Sequence, residues 1–145
     1  MKKLSDDSPT QKVSKEELDN LMLAAQQLEQ QATRYNQQID LLNGYYNEIH
    51  VAEETLIDLQ DAKKDQKILV PIGAGNFVYA SIEDGEKVIT TIGAGVHSER
   101  SLLDAIDVVK KKKAEIENQL TQIKASYNEV IERLREIDRV VKSVM

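Results

Sequence analysis

The strongest constraint on the fold is a repeat of apolar residues at alternating three- and four-residue spacing in both halves of the chain. In the first half the repeat comprises Leu18, Leu21, Ala25, Leu28, Ala32, Tyr35, Ile39, Leu42, Tyr46 and Ile49. In the second half it comprises Leu102, Ile106, Val109, Lys113, Ile116, Leu120, Ile123, Tyr127, Val130, Leu134, Ile137, Val141 and Val144. Heptad spacing of this kind places one apolar stripe along a helix, so each half predicts a long coiled-coil helix.

The two stripes also match each other as an antiparallel pair. Facing positions in such a pair have residue numbers that add up to a constant, as Leu28 with Leu134 and Ala32 with Val130 do. After Ile49 we expect the first stripe to slip by three residues to Ala52, Leu56 and Leu59, which would overwind the helix pair locally. The predicted fold is therefore a hairpin of two helices from one chain.

A glycine-rich segment with many β-branched residues, Ile68–Val96, separates the two halves. Strands are predicted at Lys67–Ile72, Phe77–Ile82 and Lys87–Ile92, with Pro71 at a strand end or edge and a tight turn at Asp84-Gly85. Because Ile-Gly-Ala-Gly occurs at 72–75 and again at 92–95, we predict two tandem β-hairpins, the second one short and ending near His97.

Four short strands cannot bury a core or satisfy their own edges. We therefore expect this segment to be an oligomerisation hub, whose strands pair with those of other subunits into a β-barrel platform. The residues predicted to mediate this contact are Ile68, Val70, Ile72, Phe77, Tyr79, Val88 and Ile92.

The chain is thus predicted to be α+β but mainly α, with four parts. They are a disordered tail at 1–13, a helix at 14–65, the hub at 66–97 and a second helix at 98–145. Ser14 opens a capping box with Glu17, and the second helix begins near Ser98 or Ser101.

Composition excludes several classes of protein. A net charge of −6 argues against general nucleic-acid binding, which needs a basic face. No apolar run approaches the roughly 20 residues that span a bilayer, and no signal-peptide core follows the first residues. The absence of cysteine fits a reducing compartment. We expect a cytoplasmic protein that binds neither nucleic acid nor membrane.

No catalytic, cofactor or metal signature is present, and no enzyme activity is predicted. Gly93-Ala94-Gly95 resembles a dinucleotide-binding loop, but the third glycine is a serine, and hairpin turns are the favoured interpretation. The two histidines, His50 and His97, lack a second ligand at metal-binding spacing, and His50 is expected to be solvated.

Two surface features each allow more than one interpretation. The run Lys110–Lys113 either offsets acidic residues of the first helix, which is favoured, or docks a partner. At the open end of the helix pair, apolar residues extend beyond the stripe. They form a binding surface, a surface covered by Leu4 and Val13, or an ordinary stripe that widens at a frayed end. The predicted binding residues there are Leu21, Met22, Leu23, Val140, Val141, Val144 and Met145.

The hub carries a resemblance that covers nearly the whole chain. Val70-Pro71-Ile72-Gly73-Ala74-Gly75, Phe77-Val78-Tyr79-Ala80 and Val88 through Gly95, placed between two heptad arms, resemble the alpha class of the prefoldin family. The resemblance implies an ATP-independent chaperone with two alpha and four beta subunits in a hexamer. It further implies a double β-barrel with six coiled coils, which hold unfolded proteins and pass them to a cytosolic group II chaperonin.

The sequence therefore favours a non-enzymatic molecular chaperone that captures unfolded clients by several weak contacts. The alternative is a structural or adaptor coiled coil that tethers fixed partners. A nucleotide-dependent enzyme built on the Gly93 loop is the third possibility.

Overall fold

The structure, a computed structural model, describes residues 13–144 and contains two long helices with four strands between them. Helix α1 covers Lys15–Asp58 and continues into a short 3-10 helix at Leu59–Asp61, and helix α2 covers Leu102–Val144. The strands are β1 (Lys67–Gly73), β2 (Asn76–Ser81), β3 (Lys87–Gly93) and β4 (Val96–Ser101). The predicted fold class, a coiled-coil hairpin with two small β-hairpins, is confirmed, and the described strands form no closed barrel within this chain.

The chain divides into two compact units, which we name here. The helical unit contains the described residues up to Asn43 and those from Asn118 onward, and the strand-bearing unit is Gly44–Glu117. The predicted tail at 1–13 lies outside the described residues except for Val13.

Both helices begin at serine caps. The Ser14 hydroxyl accepts a hydrogen bond from the Glu17 N–H at 3.0 Å, and the Ser101 hydroxyl accepts one from the Asp104 N–H at 3.1 Å. Residues 98–101, predicted as helix, form the end of β4 because their backbone pairs with β3. The helix begins only where this pairing ends, at Leu102.

The apolar stripes form the interior of both units. Every stripe residue within the described helices is buried or half-buried, including the polar Lys113. Ala32, Leu120 and Val130 are buried in the helical unit, and Leu102 and Ile106 are buried in the strand-bearing unit. The heptad pattern therefore predicted the buried face of each helix correctly.

The predicted slip of the first stripe after Ile49 is wrong. Ala52 is exposed, whereas Glu53 is half-buried, so the regular spacing continues through Ile49, Glu53 and Leu56. A carboxylate is tolerated at this position because it forms an ion pair with Lys113 across the helix pair. Because Glu53 and Lys113 form a polar pair in the seam, the line where the two apolar stripes meet, the sequence suggested a break in the apolar repeat.

The strands form two separate antiparallel hairpins, β1–β2 and β3–β4. The two hairpins have equivalent registers, because Lys67 faces Ser81 in the first and Lys87 faces Ser101 at the equivalent place in the second. The second hairpin is as long as the first, so the expectation that it is short is wrong. Asp84-Gly85 joins no pair of hydrogen-bonded strands, because it lies in the connection between the two hairpins.

The hairpin turns instead use the repeated Gly-Ala-Gly. Ala74 and Gly75 have φ angles of 50° and 77°, and Ala94 and Gly95 have φ angles of 47° and 76°. Two successive residues with positive φ match the right-handed twist of the flanking strands. Alanine is strained in this left-handed region, whereas asparagine tolerates it.

Replacing Ala74 or Ala94 by asparagine is therefore expected to stabilise its hairpin by about 0.5–1 kcal/mol. Residue-resolved hydrogen exchange of the hairpin amides would measure this change. As a control, Ala80→Asn in β2, where no positive φ occurs, should destabilise the same hairpin. Faster exchange in Ala74→Asn would contradict the strain argument.

Candidate functional site

A groove of about 510 Å³ lies in the helical unit, close to the N-terminus of α1 and the C-terminus of α2. Both helices contribute apolar side chains to it, and polar residues form its rim. The apolar residues are Met22, Ala25, Ile131, Leu134, Ile137 and Val141. The polar residues are Gln26, Glu29, Arg135 and Asp138.

The groove includes one stripe position of α1 that carries a small side chain. Ala25 lies in the stripe between Leu21 and Leu28, and it lines the groove together with Ile137 and Val141 of α2. A side chain larger than alanine at this position would fill part of the space between the helices.

The groove includes only part of the predicted binding surface. Met22 and Val141 line it, with Met22 57% exposed. Leu23 and Val140 are exposed but do not line it, Leu21 and Val144 are half-buried, and Met145 lies outside the described residues. Sequence reasoning missed Ile131, although an isoleucine beside the stripe residue Val130 could have indicated a wider apolar surface.

The charges on the α2 side of the rim are paired with neighbours on the same helix. Arg135 donates to Glu132 at 2.6 Å, and Lys142 lies 3.1 Å from Asp138. All four side chains are exposed, so these pairs contribute little to stability.

A second apolar surface lies on the first hairpin of the strand-bearing unit. Leu69, Phe77 and Tyr79 share one face of the β1–β2 sheet, and Tyr79 is 82% exposed. Ile68 and Ile72 are also exposed, while Val70 is half-buried. A lone two-stranded sheet with this much exposed apolar surface is typical of an interface with another chain.

The two hairpins have equivalent backbone pairing but differ in the side chains at some equivalent positions. One repeat after Phe77 and Tyr79, the second hairpin carries His97 and Glu99 at the equivalent register positions. Two other predicted hub residues, Val88 and Ile92, lie on β3, where Val88 is half-buried and Ile92 exposed. Exposed apolar side chains thus occur on both hairpins, but the exposed aromatic ones lie on the first.

A polar cluster surrounds Lys113 in the seam of the strand-bearing unit. The ammonium group lies 3.0 Å from Glu53 and 3.1 Å from Nδ1 of His50, and 5.6 Å from the ring centre of Tyr46. Lys113 and Glu53 are only 18% and 13% exposed. Lys111 pairs with Asp107 on its own helix. For Lys113, the favoured interpretation of the lysine run agrees with these contacts.

The His50 side chain is 44% exposed, which agrees with the expectation that it is solvated, but it also contacts its neighbours. Its ring stacks on Tyr46 with the planes 3° apart, and Nε2 lies 2.9 Å from Glu54. Because the Lys113 ammonium can only donate, Nδ1 of His50 accepts in this contact. His50 thus helps to hold Lys113 within the seam.

The hydrogen bond that Lys113 donates to Glu53 raises the pKa of Lys113, with the negative charge of Glu53 adding to this and burial opposing it. The protonated form is favoured in the folded chain, so the resulting stabilisation is present below about pH 10.5 and is lost as pH rises through the raised pKa. The unfolding temperature should therefore fall more steeply between about pH 10 and 12 in the wild type than in Lys113→Met. Lys111→Met, at an exposed pair, should retain the wild-type slope.

The described residues contain little that matches the other sites considered from the sequence. Gly93-Ala94-Gly95 forms the β3–β4 turn, as the favoured interpretation predicted. Within residues 13–144, no three histidine, aspartate or glutamate side chains are arranged to hold a metal ion. Neither of the described helices combines the length and hydropathy that a bilayer-crossing segment needs.

Comparison with known proteins gives consistent results. The prefoldin subunit family model matches residues 11–144. The prefoldin alpha subunit of Methanosarcina barkeri is 30% identical over 129 residues, covering 87% of this chain and 90% of that protein. The prefoldin alpha subunit of Pyrococcus horikoshii is 33% identical over 129 residues, covering 88% of this chain and 87% of that protein. A chain from a cryo-EM structure of filamentous PFD from Methanocaldococcus jannaschii shares the fold, with a TM-score of 0.67, 16% identity, and coverage of 80% of this chain and 96% of that one.

Proposed function

The chain belongs to the prefoldin family as an alpha-class chaperone subunit, and from this premise we propose that it holds unfolded proteins in the groove of its helical unit without ATP. The observation that carries this proposal is the groove itself. Its floor is apolar, and no side chain of the described chain fills it. Such a surface can take an apolar segment of an unfolded chain, and the flexible Met22 can adapt to segments of different shape.

One groove of this size binds weakly, because only a few side chains contact the client. Several grooves on one assembly bind the same unfolded chain with a much higher avidity, since the second contact becomes intramolecular. Holding a client therefore depends on assembly. Release follows by dissociation or by transfer to a group II chaperonin in the cytoplasm, the proposed partner in protein folding.

The proposed assembly is a hexamer in which two copies of this chain join four beta-class prefoldin subunits. Support comes from the exposed apolar face of the first hairpin and from the unpaired edges of both hairpins. Shared strands would cover that face and satisfy those edges. The same arrangement would bring several grooves to one platform.

An aggregation assay tests this function. The chain, assembled with a beta-class prefoldin subunit, should suppress the aggregation of several unrelated denatured proteins at near-stoichiometric ratios without nucleotide. An adaptor that tethers fixed partners would bind one partner and leave unrelated proteins to aggregate. Failure to suppress aggregation by an assembled complex would refute the proposed holdase function.

A further inference from the structure

A second groove of the helical unit, of about 490 Å³, brings together two arginines from different helices. Arg34 of α1 and Arg133 of α2 both line this arginine groove, and no acidic side chain among the described residues does. The groove that contains Met22, here called the Met22 groove, differs because Glu29 and Asp138 lie at its rim. The remaining residues of the arginine groove are Ala24, Gln27, Leu28, Gln30 and Gln31. Its lining is therefore mostly polar, and its charge is positive.

The two grooves lie on opposite flanks of the apolar stripe of α1. Residues that directly follow Leu21 and Leu28 of the stripe line the Met22 groove, whereas those that directly precede Ala25 and Ala32 line the arginine groove. Successive residues of a helix are about 100° apart, which places these two sets on opposite sides of the stripe. Both grooves occupy the same stretch of the helical unit. An unfolded chain held in one groove is therefore close to the other.

The charges of the two arginines are not neutralised within the described chain. Neither Arg34 nor Arg133 forms an ion pair in the part that the structure describes. Residues 30–39 contain no charged side chain besides Arg34. Glu129 and Glu136 lie one helical turn from Arg133, but neither pairs with it, and exposed pairs of this kind contribute little. Both guanidinium groups are thus available to a ligand from outside the chain.

The side chains of the arginine groove match an extended acidic peptide. A guanidinium group donates two parallel hydrogen bonds to a single carboxylate. The amides of Gln27, Gln30 and Gln31 both donate and accept, so they can pair with the N–H and C=O groups of an extended backbone. A phosphodiester backbone offers acceptors but no donors, whereas a peptide backbone offers both. The three glutamines therefore favour a peptide over a nucleic acid.

We propose that the arginine groove binds an acidic segment of an unfolded client, while the Met22 groove binds an apolar segment of the same client. The inference rests on the proposed holdase function and adds a second class of client segment to it. Arg34 and Arg133 each bind one carboxylate of the acidic segment. Clients with both kinds of segment are held more tightly than purely apolar ones, because the second contact is intramolecular.

Fluorescence anisotropy of a labelled peptide, titrated with the full chain assembled with a beta-class prefoldin subunit, tests the proposal. The peptide contains glutamates spaced by glycine and serine, and its control has glutamine at every glutamate position. The double variant Arg34→Gln and Arg133→Gln should bind the glutamate peptide at least about tenfold more weakly than the wild type, because charge-assisted hydrogen bonds are lost. The matched control, Lys124→Gln with Arg139→Gln, removes the same charge from exposed positions outside both grooves and should change the affinity less than about threefold.

Three results of this titration would overturn the proposal. The first is an equal affinity of the wild type and the arginine-groove variant for the glutamate peptide. The second is equally tight binding of the glutamine peptide, which would show that carboxylates are not recognised. The third is tighter binding of single-stranded DNA than of a glutamate peptide with the same number of charges, which would identify a nucleic acid as the occupant.

Aggregation assays with two unfolded clients separate this inference from the proposed function. The arginine-groove variant should protect a client without acidic segments as well as the wild type does, but should be several-fold less effective with a client that has one. Equal loss with both clients would contradict recognition of acidic segments. If the wild-type complex protects neither client, the holdase function itself is refuted, and the assignment of the arginine groove to clients fails with it, whatever the peptide titration shows.

Discussion

Replacing Met22 and Ile131, two groove residues outside the heptad stripes, by aspartate is expected to abolish suppression of client aggregation while leaving the subunit folded and assembled. Both residues line the groove of the helical unit, and Met22 is mostly exposed, so its side chain stabilises the fold little. Each contact with an apolar client segment contributes about 1.5–3 kcal/mol when fully buried. Loss of two contacts, with two added charges to desolvate, should weaken each groove by at least about a hundredfold.

The matched control for this experiment is Leu23→Asp. Leu23 is 55% exposed, close to the 57% of its neighbour Met22, but it lies outside the groove. Helix content and native mass of the assembled complex should be the same in all variants. If Leu23→Asp removes activity as fully as the groove variant, clients bind a broad apolar surface rather than the groove. Full activity of the groove variant would exclude this region as the binding site.

Converting the first hairpin to the surface of the second should prevent assembly. The double substitution Phe77→His and Tyr79→Glu introduces the residues that β4 carries at the same register positions, so the backbone can accommodate them. Burial of one aromatic side chain at an interface contributes about 1.5–3 kcal/mol. Loss of both is expected to weaken association with beta-class subunits by at least about a hundredfold. Native mass measured over a dilution series would detect this change.

The internal repeat also supplies the control for the hub experiment. His97→Ser and Glu99→Ser alter the equivalent positions of the second hairpin, where no apolar surface is lost, and should leave assembly within about threefold of the wild type. Circular dichroism should show unchanged helix content in both double variants. Wild-type assembly of the Phe77→His and Tyr79→Glu chain would show that this face does not mediate the contact.

The two experiments separate the properties that the proposed chaperone needs. A groove variant that assembles but does not hold clients isolates binding, and a hub variant that remains folded but does not assemble isolates avidity. Because one groove binds weakly, the hub variant should also lose most activity against unfolded clients, although its groove is intact. Full activity of an unassembled chain would mean that multivalency is unnecessary.

Much of the fold could be predicted from local rules. Heptad spacing identified the buried face of both helices, including Ala32 and Val130, because a helix exposes every residue of a given face to the same neighbour. The Ser14 cap and the repeated Gly-Ala-Gly turns follow from side-chain hydrogen bonding and from the freedom of glycine at positive φ. The exposed apolar residues of the first hairpin could be predicted because four short strands have no interior to hide them.

The remaining features depend on which residues meet across the fold, which no local pattern encodes. Glu53 occupies the seam only because Lys113 is there to pair with it, so the sequence suggested a slip where the helix continues regularly. The pairing of β3 with β4 extended a strand over residues 98–101, which were predicted as helix, because their backbone pairs with β3. The groove of the helical unit is lined by residues that lie far apart in the sequence, such as Ala25 and Ile137. The sequence by itself determined the elements and their buried faces, and only the tertiary structure decided where the seam is polar, which strands pair and where the surface is hollow.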